Sequence, residues 1–158
     1  MDQQRIVVGV DGSEGARSAL QWAVDEAGLR GAIVEAVHVW NPAYVNPYPY
    51  TISQFELHAE HEAAEKLVHE AVSSVDTSQM ASAPKPVLAK GHAAQALLSM
   101  AEGADLVVVG SRGRGGFSGL MLGSVSQQVA AHAGCPVVVI PARRHLTASG
   151  QTDPTPAM

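Results

Sequence analysis

An open α/β fold, a five-stranded parallel sheet with helices on both faces, is the architecture this chain predicts. Five short runs rich in β-branched residues, Arg5–Val10, Ala32–Trp40, Val87–Lys90, Leu106–Val109 and Val137–Ile140, alternate with segments whose apolar residues recur at helical spacing. Glycine-containing turns suited to a ligand follow the first and the fourth run. Ligands in such sheets bind beyond the carboxyl ends of the strands, where the winding reverses, and these two turns meet only if their strands are neighbours. The predicted strand order is therefore 3-2-1-4-5. A length of 158 residues, with 46% hydrophobic and 16% charged, suits one domain with a sizeable core. We place that domain at 1–142 and a disordered tail, rich in Thr, Ser, Pro and Gly, at 143–158.

Taken in order, Arg5–Val10 is a buried parallel strand, and Asp11-Gly12-Ser13-Glu14 breaks it. Asp11 with Glu14 three residues on resembles a capping box for the next helix, while a carboxylate at a strand's carboxyl end also faces the ligand crevice. From Gly15 to about Arg30, Ala16, Ala19, Leu20, Ala23, Val24 and Ala27 form one apolar helical face, and Gly28 and Gly31 punctuate its end. His38, in the second strand, reads as a packed, hydrogen-bonded core residue. The segment 41–54 holds all three tyrosines and three prolines without periodicity, a loop able to cover a ligand, a partner surface or the edge of the fold.

Phe55 to about Val75 is the longest helix, buried through Leu57, Ala64, Leu67, Val68, Ala71, Val72 and Val75. His58, Glu62, Glu65 and His69 lie on another side. His61-Glu62-Ala63-Ala64-Glu65 resembles a zinc-protease helix whose second histidine is missing, so a solvated polar face is the better account. A third helix runs from Ala93 to about Gly103, burying Ala93, Leu97, Leu98 and Ala101. A fourth runs from Gly123 to Ala133, with Val125, Val129, Ala130 and Ala133 for packing.

Between the fourth strand and the fourth helix, Asp105–Ser126 reads DLVVVGSRGRGGFSGLMLGSVS. A strand, a glycine-rich loop and a helix start can turn several peptide N–H groups toward one point, where the helix dipole favours an anion such as phosphate. The loop is not the Gly-x4-Gly-Lys-Ser/Thr pattern, since no lysine follows Lys90, and it never completes Gly-x-Gly-x-x-Gly. Positive charge falls to Arg112 and Arg114.

The spacing Gly110-x2-Gly113-x9-Gly123-Ser124, with the opening Val8-Gly9-Val10-Asp11-Gly12-Ser13, resembles the universal stress protein family and its ATP-binding signature, over about Arg5 to Ala142. The resemblance implies a Rossmann-like fold of the adenine nucleotide alpha hydrolase kind, with the same strand order. It places Gly9, Val10 and Asp11 on the ribose side and the Val39 backbone on the adenine. Val109, Gly110, Arg112 and Gly113 would form the loop over sugar and phosphates. Gly123, Ser124, Val125 and Ser126 would hold the triphosphate through backbone N–H groups and two hydroxyls. ATP is the implied cofactor, with Mg2+ bridging phosphate oxygens and a serine hydroxyl. No catalytic residue is assigned, and no metal-binding residue either.

A net charge of -5 and too few clustered arginines disfavour nucleic acid as a partner. No apolar run approaches the roughly 20 residues of a membrane span, and Met1–Arg5 does not look like a signal peptide, so a cytoplasmic protein is expected. The single Cys135 fits a reducing compartment and reads as a packed thiol. Strand 137–140 lies on an apolar edge, which pairing in a homodimer would cover, as the resemblance also implies. The function expected is an adenine-nucleotide-dependent binding module of the stress response with unknown protein partners. The alternatives are a slow Mg-dependent ATPase or autokinase at the same site, or an interaction protein working through its dimer surface. An adenylate-forming or flavoprotein domain would want its phosphate loop directly after the first strand, at Asp11-Gly12-Ser13.

Overall fold

The computed structural model describes residues 3–42, 53–113 and 122–141. The tyrosines of segment 41–54, Arg114 and the interior of the glycine loop, and the tail beyond 141 lie outside them.

The elements follow as β1 (Arg5–Gly9), α1 (Glu14–Arg30), β2 (Ile33–Trp40), α2 (Gln54–Ser73), β3 (Lys85–Lys90), α3 (Ala93–Met100), β4 (Leu106–Gly110), α4 (Ser124–His132) and β5 (Val137–Ile140). The strands form one parallel sheet in the order β3-β2-β1-β4-β5, as expected from the two turns. Alternation of side chains along each strand divides the core in two. Ile6, Val8, Val34 and Val108 meet Leu20 and Val24 of α1 and Val68 of α2 on one face. Val7, Val37, Val107 and Val109 meet Leu97 of α3 and Val129 of α4 on the other.

All six residues assigned to the inner face of α1 are buried. The helix ends where Gly31 takes a left-handed φ of 65°, a backbone state that glycine adopts without cost to a Cβ. Elsewhere the core is narrower than periodicity suggests. Only Ala64 and Val68 are buried on α2, which packs on the outer strands β2 and β3. On α3, Ala94 and Leu97 are buried and Ala93 is exposed, and on α4 Ala130 is exposed. Periodicity identifies a face to within about one residue's rotation, and the packing partner decides the rest.

The expected capping box of Asp11 with Glu14 is not formed. Ser13 is the N-cap of α1 and its hydroxyl accepts from the Ala16 N–H at 3.1 Å, while Asp11 Oδ1 accepts the Ser13 N–H at 2.9 Å. At the amino end of the sheet, far along the strands from these turns, Arg5 acts as a bolt. Its guanidinium donates to Glu35 at 2.8 Å and to the carbonyls of Met100 and Glu102 at 3.1 and 2.6 Å. The Arg5 N–H donates to Asp105 at 2.8 Å, tying the entry to β4 beside β1. Glu35 is only 9% exposed and also faces Lys85 at 3.7 Å, so its charge is compensated twice.

Candidate functional site

A cavity of about 540 Å3 opens beyond the carboxyl ends of β1, β2 and β4. Each of the twelve residues singled out in the sequence lines it. Gly9, Val10 and Asp11 come from the end of β1, Val39 from β2, and Val109 and Gly110 from β4. Arg112 and Gly113 begin the loop, and Gly123, Ser124, Val125 and Ser126 begin α4. Ser13, Ala16, Val37, His38, Ala93 and Leu97 complete the wall and were not foreseen as site residues. Ala16, Ala93 and Leu97 sit on helices whose contact with the crevice follows from packing, so no local motif announces them.

Close approach explains several glycines. A Cβ on Gly110 would lie 2.9 Å from the Gly15 carbonyl carbon, so the start of α1 rests backbone to backbone on the end of β4. A Cβ on Gly113 would stand 2.6 Å from Asp11 Oδ2, which brings the loop after β4 against the carboxylate after β1. Gly123 differs. A Cβ there meets only ordinary contacts of 3.5 Å and longer, so close packing does not require glycine at this position.

The start of α4 is set apart by how its polar groups are engaged. Gly123 is the N-cap and supplies no side-chain acceptor to the first turn. Its own N–H donates to the Ser111 carbonyl at 2.7 Å, pinching the loop at its base. The buried Ser126 hydroxyl lies 3.1 Å from the same carbonyl and 3.0 Å from that of Gly123. Its single proton is therefore spent on carbonyls. Of the donors that the resemblance implies for a triphosphate, the Gly123 N–H and the Ser126 hydroxyl are engaged in closing the loop in this conformation. The N–H groups of Ser124, Val125 and Ser126, which a helix's first turn leaves unpaired internally, carry the positive end of the dipole, and the Ser124 side chain in the same turn is exposed.

On the β2 side, the Val10 N–H donates to the Val37 carbonyl at 2.8 Å, and His38 Nδ1 lies 2.9 Å from the Val10 carbonyl. A carbonyl only accepts, so Nδ1 carries the proton. His38 is the hydrogen-bonded residue expected, and in addition its half-buried ring lines the cavity. Val37, Val39, Leu97 and Val109 give that wall an apolar character, the setting in which a flat ring sheds water.

Among the described residues, no group of three or more His, Cys, Asp or Glu is arranged to hold a metal. The polar residues of α2 include the helical pairs His58 with Glu62 at 3.3 Å, His61 with Glu65 at 3.8 Å and Lys66 with Glu70 at 3.7 Å, while His61 also stands edge-on to Trp40 at 5.1 Å. Burial, reinforced by the Asp105 charge, pushes the Cys135 thiol above its ordinary pKa, in keeping with a packed thiol and against a nucleophile. No helix among the described residues is long and apolar enough to cross a membrane.

The family model described as "Universal stress protein family" matches residues 3–141. A universal stress protein of Mycobacterium tuberculosis is 37% identical over 145 residues, which are 92% of this chain and 47% of that protein. The chain thus spans about half the length of the curated relatives it matches. Among solved structures, the universal stress protein from Archaeoglobus fulgidus in complex with dAMP is similar with a TM-score of 0.63 and 25% identity, over 89% of this chain and 99% of that one. A universal stress protein in complex with cAMP is similar with a TM-score of 0.55 and 26% identity, over 87% and 95%.

Proposed function

The chain belongs to the universal stress protein family, and on that premise we propose that it binds ATP in the crevice beyond β1 and β4, as a nucleotide-dependent regulatory module of the stress response. The observation that carries the proposal is the meeting, in one cavity, of an apolar wall and a helix N-terminus without a side-chain cap. The wall suits a base and the helix start suits phosphate. Structural relatives in complex with cAMP and dAMP support adenine as that base.

In this proposal Val39 reads the base through its backbone and Asp11 accepts hydrogen bonds from ribose hydroxyls. The Ser124 to Ser126 N–H groups and the Ser124 hydroxyl take the phosphates, and Arg112 supplies charge. Mg2+ would arrive with the phosphates, and its chemistry is to neutralise charge between their oxygens. Binding rather than turnover is favoured because Asp11 is the single carboxylate lining the cavity among the described residues, and it is already engaged with the Ser13 N–H.

A homodimer through β5 belongs to the same proposal. Val107 N–H bonds the Pro136 carbonyl and Ser111 N–H that of Ile140, so the even-numbered residues of β5 face β4. Val137 and Val139 therefore turn their backbone groups to the open edge. Val139→Pro removes an outward donor and should convert dimer to folded monomer on gel filtration. A cytoplasmic location is proposed with it, in keeping with the free Cys135.

Isothermal titration of nucleotide-stripped protein with ATP, ADP, AMP and cAMP in Mg2+ tests the central claim. Micromolar ATP binding, about -8 kcal/mol, is expected. Gly123→Glu should abolish binding by seating a like charge in the phosphate position while the fold persists. Unchanged ATP affinity in that variant would sink the site.

A further inference from the structure

We infer that His38 is a positioning residue that opens the base-reading edge of the cavity: by taking the Val10 carbonyl, it releases the Val39 amide from the sheet. Only the last link, from the released amide to a base, rests on the nucleotide proposal above.

Alternate residues of a parallel strand bond to one neighbour, so each rung predicts the next. Between β1 and β2 the flanking rungs run from the Ile33 N–H to the Gln4 carbonyl at 2.9 Å, and from the Val10 N–H to the Val37 carbonyl at 2.8 Å. The next rung is Val39 N–H to the Val10 carbonyl. It is missing, and the paired register stops at Gly9 opposite Val37. The Val10 carbonyl instead faces His38 Nδ1 at 2.9 Å. Val10 is 4% exposed, and a buried carbonyl needs a partner, so the imidazole replaces the rung that the sheet would otherwise form.

The interruption belongs to one side of β2 alone. Toward β3 the pairing continues through Trp40 opposite Lys90, and the Gly91 N–H donates to the Trp40 carbonyl at 3.1 Å. Toward β1 the chain turns away at Gly12, whose φ is 80°, so no residue beyond Val10 continues the ladder to meet the Val39 carbonyl. Val39 lines the cavity, and among the described residues its N–H and carbonyl have no ladder partner on that side. One residue thus offers a donor and an acceptor together, the complement of a nucleobase edge carrying a ring nitrogen beside an amino group.

The test compares Val39 amide exchange by NMR, and affinity for ATP and for inorganic tripolyphosphate, in the wild type and three variants. His38→Val lets Val10 reclaim Val39, so the nucleotide-free amide becomes protected at least about tenfold. ATP affinity then falls about tenfold, near the worth of one hydrogen bond, and tripolyphosphate affinity stays unchanged. His38→Gln, which keeps size and polarity but moves the donor, should behave alike and serves if the valine variant does not fold. His38→Asn carries an N–H near the Nδ1 position and should restore wild-type behaviour. An unprotected Val39 amide in the folded valine or glutamine variant overturns the inference, as do equal losses for ATP and tripolyphosphate. If the wild type binds no ATP, the nucleotide proposal falls, and the exchange comparison still decides the role of His38: protection supports it and its absence overturns it.

Discussion

Helices α1 and α4 start from turns at the carboxyl ends of neighbouring strands, and they finish their N-termini in opposite ways. At α1, Ser13 caps the first turn with its hydroxyl and Asp11 brings its own carboxylate alongside. The dipole there is already answered by the chain. At α4 the N-cap is Gly123, which offers no side chain, and the nearby Ser126 hydroxyl is spent on carbonyls. The charge that completes this second end must come from elsewhere. The difference weighs against a phosphate loop after the first strand, since Asp11 would repel a phosphate at that position, and it supports the proposal that the second turn is the phosphate seat.

The strongest way to break the comparison is to make α4 resemble α1. Gly123→Asp has room for its Cβ and supplies a good N-cap, so the helix should gain slightly in stability while ATP affinity falls by about a hundredfold or more. Thermal melting alongside titration checks this, and parallel loss of both would mean damage rather than substitution of the anion. Gly110→Ala attacks the contact that holds the two turns together. Its Cβ meets backbone of Gly15 at 2.9 Å, and a loss of about 1–3 kcal/mol in chemical denaturation is expected, with weaker ATP binding following the displaced α1.

Removing the cap of α1 gives a smaller effect of the opposite character. Ser13→Ala should cost about 1 kcal/mol of stability and leave ATP affinity within a few-fold of wild type. A collapse of binding there would show that the sealed end is part of the phosphate seat. Smallest is the effect at α2, a third N-terminus, sealed by the reciprocal box of Ser53 with Glu56. Hydrogen bonds from Ser53, the backbone N–H first, hold the Glu56 pKa below its ordinary value. A depressed carboxylate contributes above its unfolded pKa, and the contribution is lost as pH falls through the folded one. Amide exchange at residues 54–58 should therefore show the first turn of α2 fraying as pH drops below the ordinary carboxylate range, with α4 unaffected.

The candidate cavity was legible in sequence to the extent that short local motifs line it. Gly-x2-Gly and Gly-Ser carry the family resemblance, and all twelve residues that the resemblance names line one cavity. Ambiguity entered where two residues could fill one local role. Asp11 and Ser13 are both good caps, and the choice between them depends on where the β4 loop lies, because Asp11 Oδ2 is the atom that Gly113 makes room for. His38 reads as core from its strand alone. Its tie to the Val10 carbonyl and its place in the cavity wall follow from a neighbouring strand ending one residue earlier.

From sequence alone came the number, type and order of the elements, the inner face of α1 and the two turns that flank the site. These rest on periodicity and on the backbone freedom of particular residues, which act over a few positions along the chain. Only the tertiary structure decided which donors are spent and which remain open: the Gly123 N–H and Ser126 hydroxyl on carbonyls, the Val39 amide left off the ladder, and α1 rather than α4 sealed. A hydrogen-bond donor is engaged or open according to the groups that folding brings beside it, and those groups lie far away in sequence.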